Sequence, residues 1–265
     1  KLRGLHTIGV TYNPDSRLAK EAQTVIKFDY RDVGFGPGTM SYMASMLTLY
    51  CVAIRLAECA GRISVSEVEG FLSRLERLAD SVERTIAANR DPMKELAEKV
   101  GENEKVLIIG GGPNFGTALF AMAKLIESAR MNAVGQGLEE WAHEQYFVTE
   151  SGTYTFVLAA PGRSVDRARE QLQAIRDMGG VGIAVCNYDD KETPALADVV
   201  APVYFDDEEA LSPIPYCVPN ELFAYHYALS HGKVMLGFDD EKRKQVNFRQ
   251  IFHSNIPSWE EMSAR

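Results

Sequence analysis

Three residues near the middle of the chain, Glu127, Glu140 and His143, are of types that move protons. In the segment LEEWAHEQY, Glu140 stands three residues before His143 and Glu139 four before it. On a helix, either carboxylate would therefore neighbour the imidazole. Glu127 lies on the helical pattern just upstream. Carboxylates and an imidazole within reach of one substrate are the parts of general acid–base catalysis. Each also has a plainer reading. Glu127 is then a surface glutamate paired with Lys124 or Arg130, and His143 a helix-end histidine beside a carboxylate.

The elements that must hold these residues begin with Val106-Leu107-Ile108-Ile109, an apolar run that reads as a buried parallel strand. Gly110, Gly111 and Gly112 follow, then Pro113-Asn114-Phe115-Gly116-Thr117 and a helical pattern. Glycines permit a sharp turn and a close approach, and free N–H groups at a helix start attract anions. Gly112, Asn114 and Thr117 are thus candidate ligand contacts. This is not a dinucleotide fingerprint, because Phe115 stands where the third glycine belongs, nor a Walker A loop, because Thr117 stands where the lysine belongs. Either the turn holds a phosphate or it merely packs closely.

Further strands are expected at Ala133-Val134-Gly135-Gln136 and at 154–160, 181–186 and 199–204, with a helix at 164–178 and a closing helix within 213–231. Strands alternating with helices imply an α/β fold, a five-stranded parallel sheet with helices on both faces. Ligands in such sheets lie at the carboxyl ends of strands, where the glycine turn, Gln136 and Pro161-Gly162 fall.

Ahead of this, 6–11, 16–22 and 24–28 read as strand, helix and strand, a parallel unit in search of a sheet. The loop 32–39 offers Gly36, Gly38 and Thr39, which either line a pocket or make a turn and helix cap. The helix after it runs to about residue 60, and its apolar positions, Tyr42, Met43, Met46, Leu47, Tyr50, Cys51, Ile54 and Ala57, read as core. Residues 64–88 form an amphipathic helix that Asp91-Pro92 interrupts, with a short second helix at 93–100. This segment reads as a connection between domains or a dimer surface.

A net charge of -9 over 265 residues argues against a nucleic-acid partner. No apolar run approaches membrane-spanning length and no signal peptide precedes the first strand, so a cytoplasmic protein without a membrane partner is expected. Cys51, Cys59, Cys186 and Cys217 lack C-x-x-C spacing and read as buried free thiols. Asp206-Asp207-Glu208-Glu209 reads as a solvated charge run, with no histidine or cysteine near to make a metal site. No metal and no cofactor are expected.

Several of these segments together resemble a known family. Lys124-Leu125-Ile126-Glu127 followed by Glu140-Trp141-Ala142-His143 is similar to the K-L-x-E and E-x-x-H elements of the double sugar-isomerase (SIS) domain family, with the glutamate-to-histidine separation matched without a gap. That family includes the isomerase half of glucosamine-6-phosphate synthase and fructosamine-6-phosphate deglycases. Pro219-Asn220-Glu221-Leu222-Phe223-Ala224-Tyr225-His226 resembles its last helix, P-x-x-L-L-A-Y-H. Ile8-Gly9-Val10-Thr11, with 13–19 and the loop 34–42, resembles the end of a first SIS domain. The resemblance reaches to about residue 233. It implies the C-terminal part of a first SIS domain at 1–62, connecting helices at 63–102, a second SIS domain at 103–233 and a tail at 234–265.

In function, the resemblance implies phosphosugar chemistry: isomerisation of an amino- or keto-hexose 6-phosphate, or deamination or deglycation through an enol-type intermediate. Glu127 would be the proton shuttle, His143 the ring-opening group acting from a neighbouring subunit, and Glu140 its orienting partner. Gly36, Gly38 and Thr39 would line the sugar pocket, and a homodimer or higher oligomer is expected. Two departures stand out. The family's S-x-S-G-x-T phosphate loop is not found ahead of the first strand, so the expectation is that the start of the first domain is missing here or that the protein is shortened. The L-A-K-S-V-T tail is also absent; Lys242 either replaces its lysine or belongs to a solvated basic patch. The alternative is a sugar-phosphate-sensing module without catalysis.

Overall fold

The computed structural model describes residues 4–31, 33–34, 36–102 and 104–252, the side chains of Ile251 and Phe252 excepted. Asp32 and Phe35 of the glycine-rich loop, and the tail beyond 252, lie outside the described residues. Near the start, β1 (Ile8–Thr11) and β2 (Thr24–Lys27) pair in parallel across the short α1 (Arg17–Glu21). The main sheet contains β3 (Lys105–Gly110), β4 (Ala133–Gly137), β5 (Thr153–Ala159), β6 (Val181–Asn187) and β7 (Val199–Val203). Its order is β4-β3-β5-β6-β7 and every neighbouring pair is parallel.

The strands are nearly continuous apolar runs because both sides of the sheet are covered. Val106, Ile108, Phe156, Leu158, Ile183 and Val185 point to one core. On that side lie α2 (Thr39–Cys59), α3 (Val65–Lys99), α4 (Asn114–Ala129) and α8 (Val218–Ser230), with the short α7 (Pro213–Tyr216) leading into α8. Leu107, Ile109, Val157 and Ala184 point the other way, toward α5 (Leu138–His143) and α6 (Val165–Asp177). The tail adds a 3-10 turn at Met235–Gly237 and α9 (Glu241–Phe252).

Pro92 does not interrupt the helix expected to end before it: α3 runs unbroken for 35 residues with Pro92 inside. Proline removes one backbone donor and strains the turn before it. Here the buried stripe outweighs that cost, since Asn89, Met93, Leu96 and Ala97 continue the face begun by Leu75 and Leu78. The capping box of Ser64 and Glu67 fixes the start. Polar groups of α3 also tie down strand β7. Asn89 Nδ2 donates to the Pro202 carbonyl at 2.7 Å, and Thr85 Oγ1 accepts from the Tyr204 N–H at 3.1 Å. An edge strand whose backbone is answered in this way is a poor template for further strand pairing.

Four other expectations are corrected. No residue of α2 is fully buried; Met46, Leu47, Tyr50 and Ile54 pack against the core while Leu49 and Leu56 face out. The helix has a mean hydropathy of 1.4 over its best window and is long and apolar enough to cross a membrane, contrary to the expectation that no such run exists. Cys51 and Cys59, on this helix, are exposed thiols, whereas Cys186 and Cys217 are buried as expected. The acidic run is only half solvated: Asp207 is paired with Arg74 of α3, and Glu209 turns inward.

Gly110 ends β3 where α4 begins, and a Cβ there would collide with the Asn114 carbonyl. Gly110→Ala should therefore destabilise the fold by about 1–3 kcal/mol, the range for overpacking. Thermal unfolding checks this, with the transition expected several degrees below wild type.

Candidate functional site

The glycine turn is built for contact with protein. Gly112 has φ +53°, a conformation that favours glycine. Asn114 and Thr117 are buried; Thr117 Oγ1 donates to Asn114 Oδ1 at 3.1 Å, and Asn114 Nδ2 to Ser212 Oγ at 2.8 Å. These bonds fasten the start of α4 to the turn before α7. The Glu209 carboxylate lies over the same loops. It accepts from the Arg163 N–H at 3.2 Å and from Ser164 Oγ at 3.4 Å, and a Cβ on Gly112 would meet its Oε1 at 3.2 Å. At the carboxyl edge of the sheet, the donors that favour an anion thus face one of the chain's own carboxylates.

A second polar cluster lies farther along α4. Lys124 is 6% exposed, its ammonium paired with the Glu127 carboxylate one turn on and held 5.1 Å from the Phe120 ring centroid. The Phe120 ring stacks on Tyr42 of α2, centroids 3.7 Å apart. Glu127 is half-buried, so it can meet both the lysine and a ligand. The Lys124 pairing expected of a surface glutamate is present, but it joins a buried cation. Arg130, the other expected partner, pairs instead with Asp239 of the tail at 3.2 Å.

From α8, Glu221 enters the same region. One carboxylate oxygen, Oε1, is shielded from solvent without a hydrogen-bond partner among the described residues. Burial pushes the Glu221 carboxyl up to about 7, opposed by the nearby Cys217 thiol and by Lys124. Burial also raises Tyr42 to about 12, helped by Cys217, Tyr50 and Glu221. Cys217 is itself raised by burial and by Glu221.

His143 is the last residue of α5 and is exposed; Glu140, a turn earlier, is exposed too. The buried Trp141 anchors the helix to the sheet, and Glu139 pairs with Arg167 of α6 at 2.8 Å. Phe147, 73% exposed, and Val148 lie just beyond. Helix α4 covers one face of the sheet and α5 the other. Glu127 sits near the end of α4 that feeds β4, while His143 follows the far end of β4. A strand of five residues spans roughly 16 Å. The structure therefore does not bring Glu127 and His143 of one chain together.

Gly36, Gly38 and Thr39 line a cavity of about 190 Å³ with Tyr12, Tyr30 and Pro37. Gly38 caps α2 through its backbone position, with no side-chain cap bond. A Cβ on Gly36 would meet Met235 Sδ at 3.4 Å, and the turn Met235–Gly237 packs in turn on α4. Asn247 of α9 donates to the Leu236 carbonyl at 2.6 Å. The glycine-rich loop, the helix carrying Glu127 and the tail thus gather around one turn. Lys242 lies exposed on α9. Among the described residues no cluster of three or more metal-ligating side chains occurs.

Known proteins share this architecture. The C-terminal domain of glucosamine-fructose-6-phosphate aminotransferase from Francisella tularensis superposes with a TM-score of 0.77 at 15% identity, over 86% of this chain and 64% of that one. The fold is that of the sugar-isomerase domains. Glucosamine-6-phosphate deaminase from Thermotoga maritima matches with a TM-score of 0.58 at 19% identity, over 86% of this chain and 63% of that one. In sequence, the chain is 28% identical over 235 residues to a glutamine–fructose-6-phosphate aminotransferase of Gloeobacter violaceus. It is likewise 28% identical over 233 residues to that of Pyrococcus horikoshii. Each match covers 88% of this chain but 38% of the relative's length, so the chain spans well under half of the proteins it matches. No family model matches. The resemblance to the double-SIS family drawn from the motifs is upheld by these relatives.

Sequence reasoning missed Glu221 and Glu209. Glu221 stood at an unspecified position of the P-x-x-L-L-A-Y-H pattern, and Glu209 inside a run that looked solvated. A carboxyl whose folded value is raised binds its proton more tightly folded than unfolded. The stability it contributes is full below the ordinary value of 4.5 and lost as pH rises through about 7. Wild type should therefore lose thermal stability relative to Glu221→Gln between about pH 4.5 and 7, which melting curves across that range would show.

Proposed function

We propose that this chain binds a hexose 6-phosphate and moves protons on it. The reaction is isomerase-type: aldose–ketose isomerisation, or deamination or deglycation through an enol-type intermediate. The observation that carries this reading is the buried Lys124 ammonium paired with a half-exposed Glu127 on a sugar-isomerase fold. A carboxylate held by a fixed cation but open to a ligand is suited to take a proton from one carbon and return it to the next. Fixed donors such as Lys124 can stabilise the enediolate charge that forms between these steps. Gly36, Gly38 and Thr39 form the sugar wall, and Lys242 reaches in from the tail.

His143 serves a pocket in a second copy of the chain, with Glu140 orienting the imidazole. The separation of α4 and α5 across the sheet supports this, as do the exposure of His143 and the apolar Phe147 and Val148 beside it. The protein is accordingly a homodimer or a larger homo-oligomer, acting in the cytoplasm.

Glu127→Gln should lower turnover of fructose 6-phosphate, glucosamine 6-phosphate or an amino-linked fructose phosphate by about 10²–10⁴-fold, with folding unchanged. Undiminished turnover would remove Glu127 from the mechanism. Binding of these sugars by wild type without any turnover would favour the sensing module. The trans arrangement has its own check. When inactive Glu127→Gln and His143→Ala subunits are mixed and allowed to exchange, each mixed dimer gains one site with both groups intact and activity partly returns. No recovery despite subunit exchange confirmed by light scattering or mass spectrometry would mean that both groups act within one chain.

A further inference from the structure

We propose that Glu221 is a positioning residue for the Lys124–Glu127 pair, its carboxylate supplying the counter-charge that the buried ammonium loses each time Glu127 takes up a proton. The inference rests on the function proposed above and names a group that sets the charge of that site. Lys124 has almost no water to turn to, and among the described residues its one ion-pair partner is Glu127. An uncompensated charge at such a depth costs several kcal/mol. A proton shuttle on Glu127 neutralises that partner once in every turnover. The proton it gains is the one the substrate carbon loses, and it is handed back to the neighbouring carbon, so Glu221 need transfer nothing. Its carboxylate has only to be ionised and near.

The geometry provides this. Helices α7 and α8 pack against α4, and Glu221 lies in the first turn of α8 with Oε1 shielded and unpartnered among the described residues. Each group that faces it can be named. Cys217, just before α8, acts on the carboxyl and lowers it, while its thiol donates to the Ile214 carbonyl at 3.1 Å. From α4, Lys124 acts on it electrostatically. Tyr42 of α2 feels Glu221 in turn and is held neutral by its own burial, which Thr117 only partly opposes. The charges of α3 that reach α8, namely Arg90, Asp91, Lys94 and Glu98, bear on His226 farther along the helix and not on Glu221. Among the described residues, Lys124 is thus the cation that Glu221 faces.

The carboxyl titrates close to neutrality, so the fraction of molecules with a charged Glu221 rises through the working range. Turnover should climb with pH through a limb near 7. In Glu221→Gln the limb disappears, and kcat at pH 8 falls on the order of tenfold with KM little changed. A purely structural role would lower activity without removing the limb.

A measurement independent of activity keeps the two readings apart. In protein carrying ¹³C at the glutamate carboxyls, NMR titration should show one resonance with a midpoint near 7 that is missing from Glu221→Gln. In Glu127→Gln that midpoint should move down, because the lysine then has only Glu221 to neutralise it and a competing negative charge is gone. A midpoint unchanged by Glu127→Gln overturns the coupling, as does a Glu221→Gln enzyme that keeps the wild-type pH limb. If no sugar phosphate is turned over by wild type, the isomerase reading fails and the NMR midpoint alone decides whether the three charges are coupled.

Discussion

The ammonium of Lys124 is the charge that the candidate site is built around. Moving such a group out of water costs several kcal/mol unless carboxylates answer it. Here it is 6% exposed, on a helix whose neighbours are mostly apolar side chains. The ring of Phe120, stacked on Tyr42, helps in that setting, since the ammonium lies 5.1 Å from its centroid while reaching Glu127. Glu127 itself sits near the carboxyl end of α4, the negative end of a helix and a poor place for an anion. Each charge therefore offsets what is unfavourable about the other's position. The half-exposure of Glu127 leaves one side of the pair open, and Glu221 of α8 acts electrostatically with Lys124.

The sheet imposes the second constraint. A parallel strand must be followed by a connection that returns to the starting end, so α4 brings the chain from the carboxyl end of β3 back to the start of β4. Anything near the end of α4 is then at one end of the sheet, and anything just after β4 is at the other. Glu127 and His143 occupy these two places, on helices that cover opposite faces. Their close spacing in the chain is the consequence of one short strand between two helices, and it does not bring them near one another. A site that uses both must borrow one of them from another chain.

How much of this could be read from the residues depended on whether the signal was local. The strands of the main sheet were legible because apolar runs bounded by glycine and proline have few other readings, and all five formed within a residue or two of expectation. The layer order followed from alternation. Pro92 misled because its local penalty is certain, whereas the compensating burial of Met93, Leu96 and Ala97 depends on α8, far away in sequence. Cys51 and Cys59 misled for the same reason in reverse: an apolar helix was read as core, but the two-stranded sheet β1–β2 covers little of it. In the candidate site, the Lys124–Glu127 pair was visible as spacing. The burial of its lysine was not, and neither was Glu221, which arrives from an element almost a hundred residues later.

The position of Glu209 bears on where a phosphate could be held. The turn after β3 has the glycines and the helix start that commonly mark an anion site, and the sheet topology points ligands to that edge. Yet Glu209 already accepts from the Arg163 N–H and Ser164 hydroxyl across these loops, and an incoming phosphate there would face a carboxylate rather than open donors. With a net charge of -9, the chain has few places where an anion is welcome. On the proposed reading, the sugar lies instead between the loop bearing Gly36, Gly38 and Thr39 and the far half of α4, around the turn at Met235–Gly237. Exposed Lys242 is on the adjoining helix, and Lys124 is on α4 itself. The glycine turn then does mechanical work: it lets α4 start hard against β3, which sets where Lys124 and Glu127 fall.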